Sequence, residues 1–225
     1  MIFNELRDTV ADIMTNIYSL PFNQELANGS LPLAKFIFYL AQDALYLTAF
    51  SEALVLTAGK LPHAHQTELF MQFSENAIKA ERTLHCNILK KHQIADHLRE
   101  PSPFCSKYIN YLFKMANTAA VEEAVASLLP CFWVYQQVGQ NVLAKKIENN
   151  PYQSWIDFYL NPEFNTSVDL AITTINELGN TASARTKAKM ITAFKYATQL
   201  EQHFWQGAYA QEKLETAGVV LVNPK

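Results

Sequence analysis

Apolar residues recur every three to four positions through almost the whole chain, a spacing that predicts helices nearly end to end. Leu6, Val10, Ile13, Met14 and Ile17 share one helical face and predict a first helix that stops before Pro21. A short turn of helix from Phe22 leads to Asn28-Gly29-Ser30, a stop signal, and Pro32 sits near a new helix start. The second helix runs to about Gly59, and its apolar residues lie almost all round, which predicts burial on most sides. Leu61-Pro62 marks the next boundary. A third helix covers roughly His65 to His92, with Leu69, Phe73, Ile78, Leu84 and Ile88 as a narrower inward stripe.

Pro101-Ser102-Pro103 breaks the chain, and a helix follows through Tyr108, Leu112 and Met115. Val121 to about Ile147 forms the next one. Its middle, Leu128-Leu129-Pro130-Cys131-Phe132-Trp133-Val134-Tyr135, packs a proline, a cysteine and three aromatics together. Pro130 has no amide hydrogen, so the carbonyl of Ala126 loses its usual partner and a bend is expected. Asn149-Asn150-Pro151 ends this helix, a short one around Tyr152–Tyr159 stops before Pro162, and another runs to Leu178-Gly179. The last spans about Ser183 to Glu215, with Ile191, Phe194, Ala197, Leu200, Phe204 and Ala208 on its apolar side. No long segment alternates with period two, so strands are not expected. The pattern predicts an all-α, single-domain helical bundle of about seven to nine helices over residues 1–217. The tail, 218–225, is either loose or packed on the body through its Val219-Val220-Leu221-Val222 run.

Composition narrows the classes. With 49% hydrophobic and 12% aromatic residues, a 225-residue chain can bury a sizeable core. A net charge of −3 without basic runs argues against nucleic acid as a partner. The three cysteines, Cys86, Cys105 and Cys131, are an odd number at irregular spacing, which is neither a disulfide framework nor a zinc signature. Acids near the N-terminus (Glu5, Asp8) stand where a signal peptide needs positive charge. The most apolar run, Phe36 to Phe50, contains Gln42 and Asp43 and is too short to span a bilayer. A cytoplasmic protein with no membrane partner is expected.

Several residues stand out against this background. Cys131 and Tyr135 are four apart and share a helical face, and the bend beside them could aim a reactive sulfur into a cavity. Equally, a cysteine is often a small buried hydrophobe. Asp43 has Tyr39, Leu40, Tyr46 and Leu47 as helical neighbours, so its carboxylate is either a structural group with a buried donor or a ligand anchor. Glu201, among Ala197, Thr198, Phe204 and Trp205, poses the same choice, and burial would raise its pKa as a general acid requires. Trp155 and Tyr159, with Tyr152 a turn back, form an aromatic stripe of a kind more common in cores than in ligand boxes. His203 reads as a surface or satisfied histidine. Glu81 and His85 have the spacing of two metal ligands, but an acid–imidazole pair within one helix is the commoner arrangement. The Glu-x-x-His pair that di-metal bundles repeat on two helices does not occur.

In order along the chain, these features resemble the thiaminase II (TenA) family, its cysteine-containing branch, which has a heme oxygenase-like all-helical fold. The resemblance rests on Gly29-Ser30-Leu31-Pro32, on Phe36, Tyr39-Leu40 and Gln42 to Leu47, and on Glu81, His85 and Tyr108. Leu129 to Tyr135, Trp155-Ile156-Asp157-Phe158-Tyr159 and Glu201-x-x-Phe204-Trp205 complete it. It implies that Cys131 is the nucleophile that adds to a pyrimidine ring. Asp43 would hold the aminopyrimidine and Glu201 would be the acid/base near the leaving group. Tyr46, Tyr108, Tyr135, Tyr159 and Phe204 would bind the substrate. The implied activity is that of an aminopyrimidine aminohydrolase, releasing ammonia from 4-amino-5-aminomethyl-2-methylpyrimidine in thiamin salvage, with cleavage of thiamin at the same methylene as a second implied activity. Neither metal nor organic cofactor is implied, and a homotetramer is. Cys86 and Cys105 are taken as structural. The rival readings are a non-heme iron oxygenase on the same scaffold using Glu81, His85 and other carboxylates, and a pyrimidine-binding regulatory protein without turnover. Heme degradation fits worst, since no early helix carries a histidine for an axial ligand.

Overall fold

The computed structural model describes residues 1–80, 100–145 and 147–212. Among these the chain forms ten α-helices and no strand. They are α1 (Ile2–Asp8), α2 (Ala11–Ser19), α3 (Pro21–Ala27), α4 (Leu33–Ala58), α5 (Ala64–Ala80), α6 (Pro103–Thr118), α7 (Val121–Leu143), α8 (Gln153–Leu160), α9 (Pro162–Thr181) and α10 (Ala184–Ala210). Glu81, His85, Cys86 and the 218–225 tail lie outside the described residues.

The pattern anticipates most of these elements, and the departures have local causes. The expected first helix is two, because Thr9 turns its hydroxyl onto the Leu6 carbonyl at 2.7 Å and Val10 leaves helical geometry. Val10 is buried all the same. The Asn28-Gly29-Ser30 stop works as read. Gly29 has φ +74, Ser30 N–H donates to Glu25 C=O at 2.9 Å, and Gly29 N–H donates to Leu26 C=O at 3.3 Å. These two bonds satisfy carbonyls that the ending helix leaves open. On α5 the buried apolar residues are Phe70, Phe73 and Ala77, whereas Leu69 and Ile78 are only partly covered. α7 ends at Leu143 rather than Ile147, and α10 ends at Ala210, where Gln211 turns left-handed at φ 53, rather than at Glu215.

α7 is the axle of the bundle. Every residue from Ala124 to Tyr135 is buried, and the helix runs unbroken through Pro130. α10 packs most extensively along it, α9, α8 and α6 cover further flanks, and α4 lies against α5, α6 and α10. With neighbours on all sides, α7 presents the thiol of Cys131 inward whichever way its residue faces. Close contact depends on small residues at two crossings. A Cβ added to Gly207 on α10 would enter the ring of Phe104 on α6, and one on Gly179 would strike Ile2. Gly207→Val is therefore expected to cost about 1–3 kcal/mol and to lower the melting temperature by roughly 3–10 °C. An unchanged melting temperature in a calorimetric scan would show that α6 and α10 can separate freely.

Candidate active site

Helices α4, α5, α7, α8 and α9 enclose a cavity of about 370 Å³. Four residues singled out in the sequence line it: Asp43 from α4, Cys131 and Tyr135 from α7, and Tyr159 from α8. The one-turn spacing of Cys131 and Tyr135 puts both on the cavity side. The other four stand one layer behind the wall. Glu201 is fully buried and accepts a hydrogen bond from Tyr108 Oη at 2.8 Å. The Tyr46 ring lies 4.7 Å from that of Tyr108 and 5.7 Å from that of Phe204. Phe204 meets Phe104 edge-on at 4.9 Å. Glu201 Oε2 and Tyr46 Oη, both buried, make no hydrogen bond of ordinary geometry among the described residues.

Asp43 is 1% exposed, and Tyr39 Oη donates to its Oδ2 at 3.4 Å while also reaching Tyr135 Oη at 3.5 Å. Tyr39 itself stacks on Trp205 at 5.1 Å and 10°, so it stands as a post between α4 and α10. On the far side Tyr135 and Tyr159 approach to 4.9 Å. Trp155, in the same stripe as Tyr159, belongs to the core, and His203 is exposed, both as the residues suggested.

The electrostatics follow from burial. Loss of water raises the Glu201 carboxyl to about 8, the Tyr108 hydrogen bond pulls it down, and the charge of Asp43 adds to the rise. Glu201 is accordingly protonated at neutral pH, in the state a general acid needs. Burial also pushes the Cys131 thiol well above its ordinary value. Glu201, once ionised above about pH 8, and the charge of Asp43 push the same way, and the nearby Tyr46 hydroxyl opposes them. The resting sulfur is a thiol, and it becomes a nucleophile only by giving up its proton as it attacks. Cys105 is a different case. Its sulfur donates to the Gln42 carbonyl at 3.4 Å behind the site, and burial, then Asp43, raises it to about 12. It is inert packing.

The sequence pattern missed the phenylalanines of the cavity wall, namely Phe50, Phe73, Phe132, Phe158 and Phe164. Nothing in their spacing separates a cavity face from a core face, since both are apolar and helical. The polar residues at the opening, Asn76, Lys79 and Glu163, sit on ordinary solvent-facing turns. Among the described residues no three His, Cys, Asp or Glu side chains gather as a metal-binding group. Glu81 and His85, on which the iron reading depended, are not among them.

Comparison with known proteins gives first a fold class. A Shewanella denitrificans OS217 domain of unknown function with a heme oxygenase-like fold superposes with TM-score 0.76 at 13% identity, over 93% of this chain and 92% of that one. A TenA homologue from P. horikoshii OT3 superposes with TM-score 0.82 at 25% identity, over 93% of this chain and 99% of that one. The chain is thus a heme oxygenase-like helical protein. Within that class it belongs to the TENA/THI-4/PQQC family, which it matches over residues 7–211. Among its relatives is the aminopyrimidine aminohydrolase of Bacillus subtilis strain 168, 28% identical over 211 residues, covering 92% of this chain and 89% of that protein.

The buried acid also makes stability depend on pH. Glu201 binds its proton more tightly folded than unfolded, so it costs nothing below about pH 4.5 and progressively more as pH rises to about 8. The cost at pH 8.5 is a few kcal/mol. Glu201→Gln removes the charge, and is expected to melt about 4 °C or more above the wild type at pH 8.5 while the two converge near pH 5. Parallel curves across that range would contradict the burial argument.

Proposed function

We propose that this protein is an aminopyrimidine aminohydrolase of thiamin salvage, which replaces the amine on the exocyclic methylene of 4-amino-5-aminomethyl-2-methylpyrimidine by a hydroxyl. The single observation that carries the reading is a thiol and two buried carboxyls at one aromatic cavity, Cys131 and Asp43 on its wall and Glu201 one layer behind them. The similarity to the Bacillus subtilis aminohydrolase supports it. A flat, electron-poor ring fits in the cavity against the wall that Tyr135 and Tyr159 form together, where aromatic faces and a few fixed polar groups do the recognising.

The chemistry follows from those groups. Asp43 accepts from the amino group of the ring and holds it beside the sulfur. Cys131 passes its proton to the ring nitrogen beside the attacked carbon and adds to the ring carbon next to the one that bears the methylene. The electron pair so delivered expels the amine, whose nitrogen takes a proton from Glu201. The hydroxyl of water then bonds to the methylene carbon while its proton restores Glu201, the sulfur leaves the ring and takes back its proton from the ring nitrogen, and the products are the hydroxymethyl pyrimidine and ammonia. Tyr108, bonded to Glu201, and the neighbouring Tyr46 lie between that acid and the thiol, and keep the proton within reach of the cavity. Phe204 backs the Tyr46 ring. No helix among the described residues is long and apolar enough to cross a membrane, and we place the reaction in the cytoplasm, on a homotetramer.

Ammonia release from the aminomethyl pyrimidine tests the reading. Cys131→Ser is expected to lose a factor of about a hundred or more in kcat. Full turnover by this variant would refute the nucleophile, and tight binding without turnover by the wild type would favour a regulatory binder. The proton donated by Glu201 gives a second handle. The acid is active only while protonated, so kcat should fall by about tenfold per pH unit above the Glu201 value near 8. Glu201→Gln should remove that limb from the pH profile.

A further inference from the structure

Asp43 anchors the proposed reaction, so whatever fixes its carboxylate fixes the substrate. Tyr39 precedes it by one turn on α4, and the two side chains share a helical face. Tyr39 is fully buried and does not line the cavity, so it can act on the chemistry only through other residues. Its Oη lies 3.4 Å from Asp43 Oδ2 and 3.5 Å from Tyr135 Oη. The indole N–H of Trp155 is buried and makes no hydrogen bond of ordinary geometry among the described residues, yet it is near enough to ease the ionisation of the same hydroxyl. Tyr159 also feels it. Polar groups from α4, α7 and α8 thus converge on one oxygen.

Counting protons gives the direction of these bonds. A phenol has one proton to give, and an ionised carboxylate can only accept. The carboxylate is also the stronger acceptor, because the bond is assisted by its charge. Tyr39 therefore donates to Asp43, and its oxygen is left to accept from Tyr135. Burial, then the charge of Asp43, pushes the Tyr39 hydroxyl well above its ordinary value, so at neutral pH it keeps the proton that it donates. The ring cannot swing away. It stacks on Trp205 at 5.1 Å and 10°, and meets Phe22 at 5.2 Å and Phe204 at 6.1 Å.

We infer that Tyr39 is a positioning residue, whose hydroxyl fixes the direction of the Asp43 carboxylate and so the angle at which the pyrimidine meets the Cys131 sulfur. A carboxyl on a rotatable stem turns, and a ring bound to it turns too. With Oδ2 tied to a clamped phenol that also meets Tyr135, the anchor and the cavity wall keep one spacing, as an attack along one line requires. Both distances are long for hydroxyl bonds, which sets the effect at a moderate size. Tyr39 has this role in the reaction proposed above, on which the assignment rests.

Tyr39→Phe removes the hydroxyl and keeps the ring that stacks on Trp205. It is expected to lower kcat/KM for the aminomethyl pyrimidine by about tenfold. Part of the loss falls in kcat, since a ring held at the wrong angle binds but reacts slowly. Para-fluorophenylalanine at the same position fills the volume of the hydroxyl without its proton, and stands in if the phenylalanine variant does not fold. Because the hydroxyl acts through Asp43, the same change made in Asp43→Asn should cost at least about threefold less than in the wild type, whereas a packing role would cost the same in both. A gap smaller than about threefold overturns the assignment. Calorimetric titration with the hydroxymethyl pyrimidine separates this failure from that of the reaction. If the wild type binds it but hydrolyses nothing, only the reaction falls, and Tyr39→Phe should still weaken binding by about threefold or more. Binding that ignores the Tyr39 hydroxyl in that case overturns the positioning role as well, and a wild type that neither hydrolyses nor binds a pyrimidine overturns both.

Discussion

A carboxyl group with no water around it is the constraint under which this site is built. Glu201 is fully buried on α10, and a hydrogen bond from Tyr108 ties it to α6. A charged carboxylate there is costly, so the group keeps its proton to about 8. The same dryness raises the Cys131 thiol, and the charge of Glu201, once it ionises, and that of Asp43 raise it further. Two protonated groups and one buried acid beside them are poised for a reaction that moves protons as bonds form, rather than one that begins from a standing thiolate.

Rigidity comes from the aromatic layer between α4, α8 and α10. Tyr39 stacks on Trp205, Trp205 lies 5.3 Å from Tyr135, and Tyr135 adjoins Tyr159, so the walls of the cavity and the post behind Asp43 are one packed unit. Aromatic rings have few rotatable bonds and lose little freedom on packing, which suits a site that must hold a flat ring in one orientation. Gln42, buried next to Asp43, ties this layer to the start of α6 by accepting from Ser102 N–H at 2.7 Å. That bond sets where α6 begins, and hence where Tyr108 stands relative to Glu201.

Legibility differed between the helices and the site. Asn28-Gly29-Ser30, Pro32, Pro162 and the pairs of neighbouring apolar positions act within a turn or two, so the helices and most of their ends could be read directly. The Thr9–Val10 break could not, because a threonine hydroxyl competing for a carbonyl is decided by fractions of the energy of one hydrogen bond. The acids were visible for a physical reason too. Asp43 and Glu201 occur on apolar helical faces, which is an anomaly that burial makes expensive. The phenylalanines of the outer cavity carry no such mark, since an apolar residue on an inward face is what any core requires.

The linear chain therefore determined that this is an all-helical protein, which positions turn inward on most of its helices, and that a thiol and two carboxyls turn inward with them. Those properties depend on periodicity and local hydrogen bonding, and both are written in neighbouring residues. Only the tertiary structure decided that Cys131, Asp43, Tyr135 and Tyr159 share one cavity, while Glu201, Tyr46, Tyr108 and Phe204 stand a layer behind it. Whether an inward side chain meets packed atoms or open space depends on how far apart distant helices are held, and no single helix carries that information.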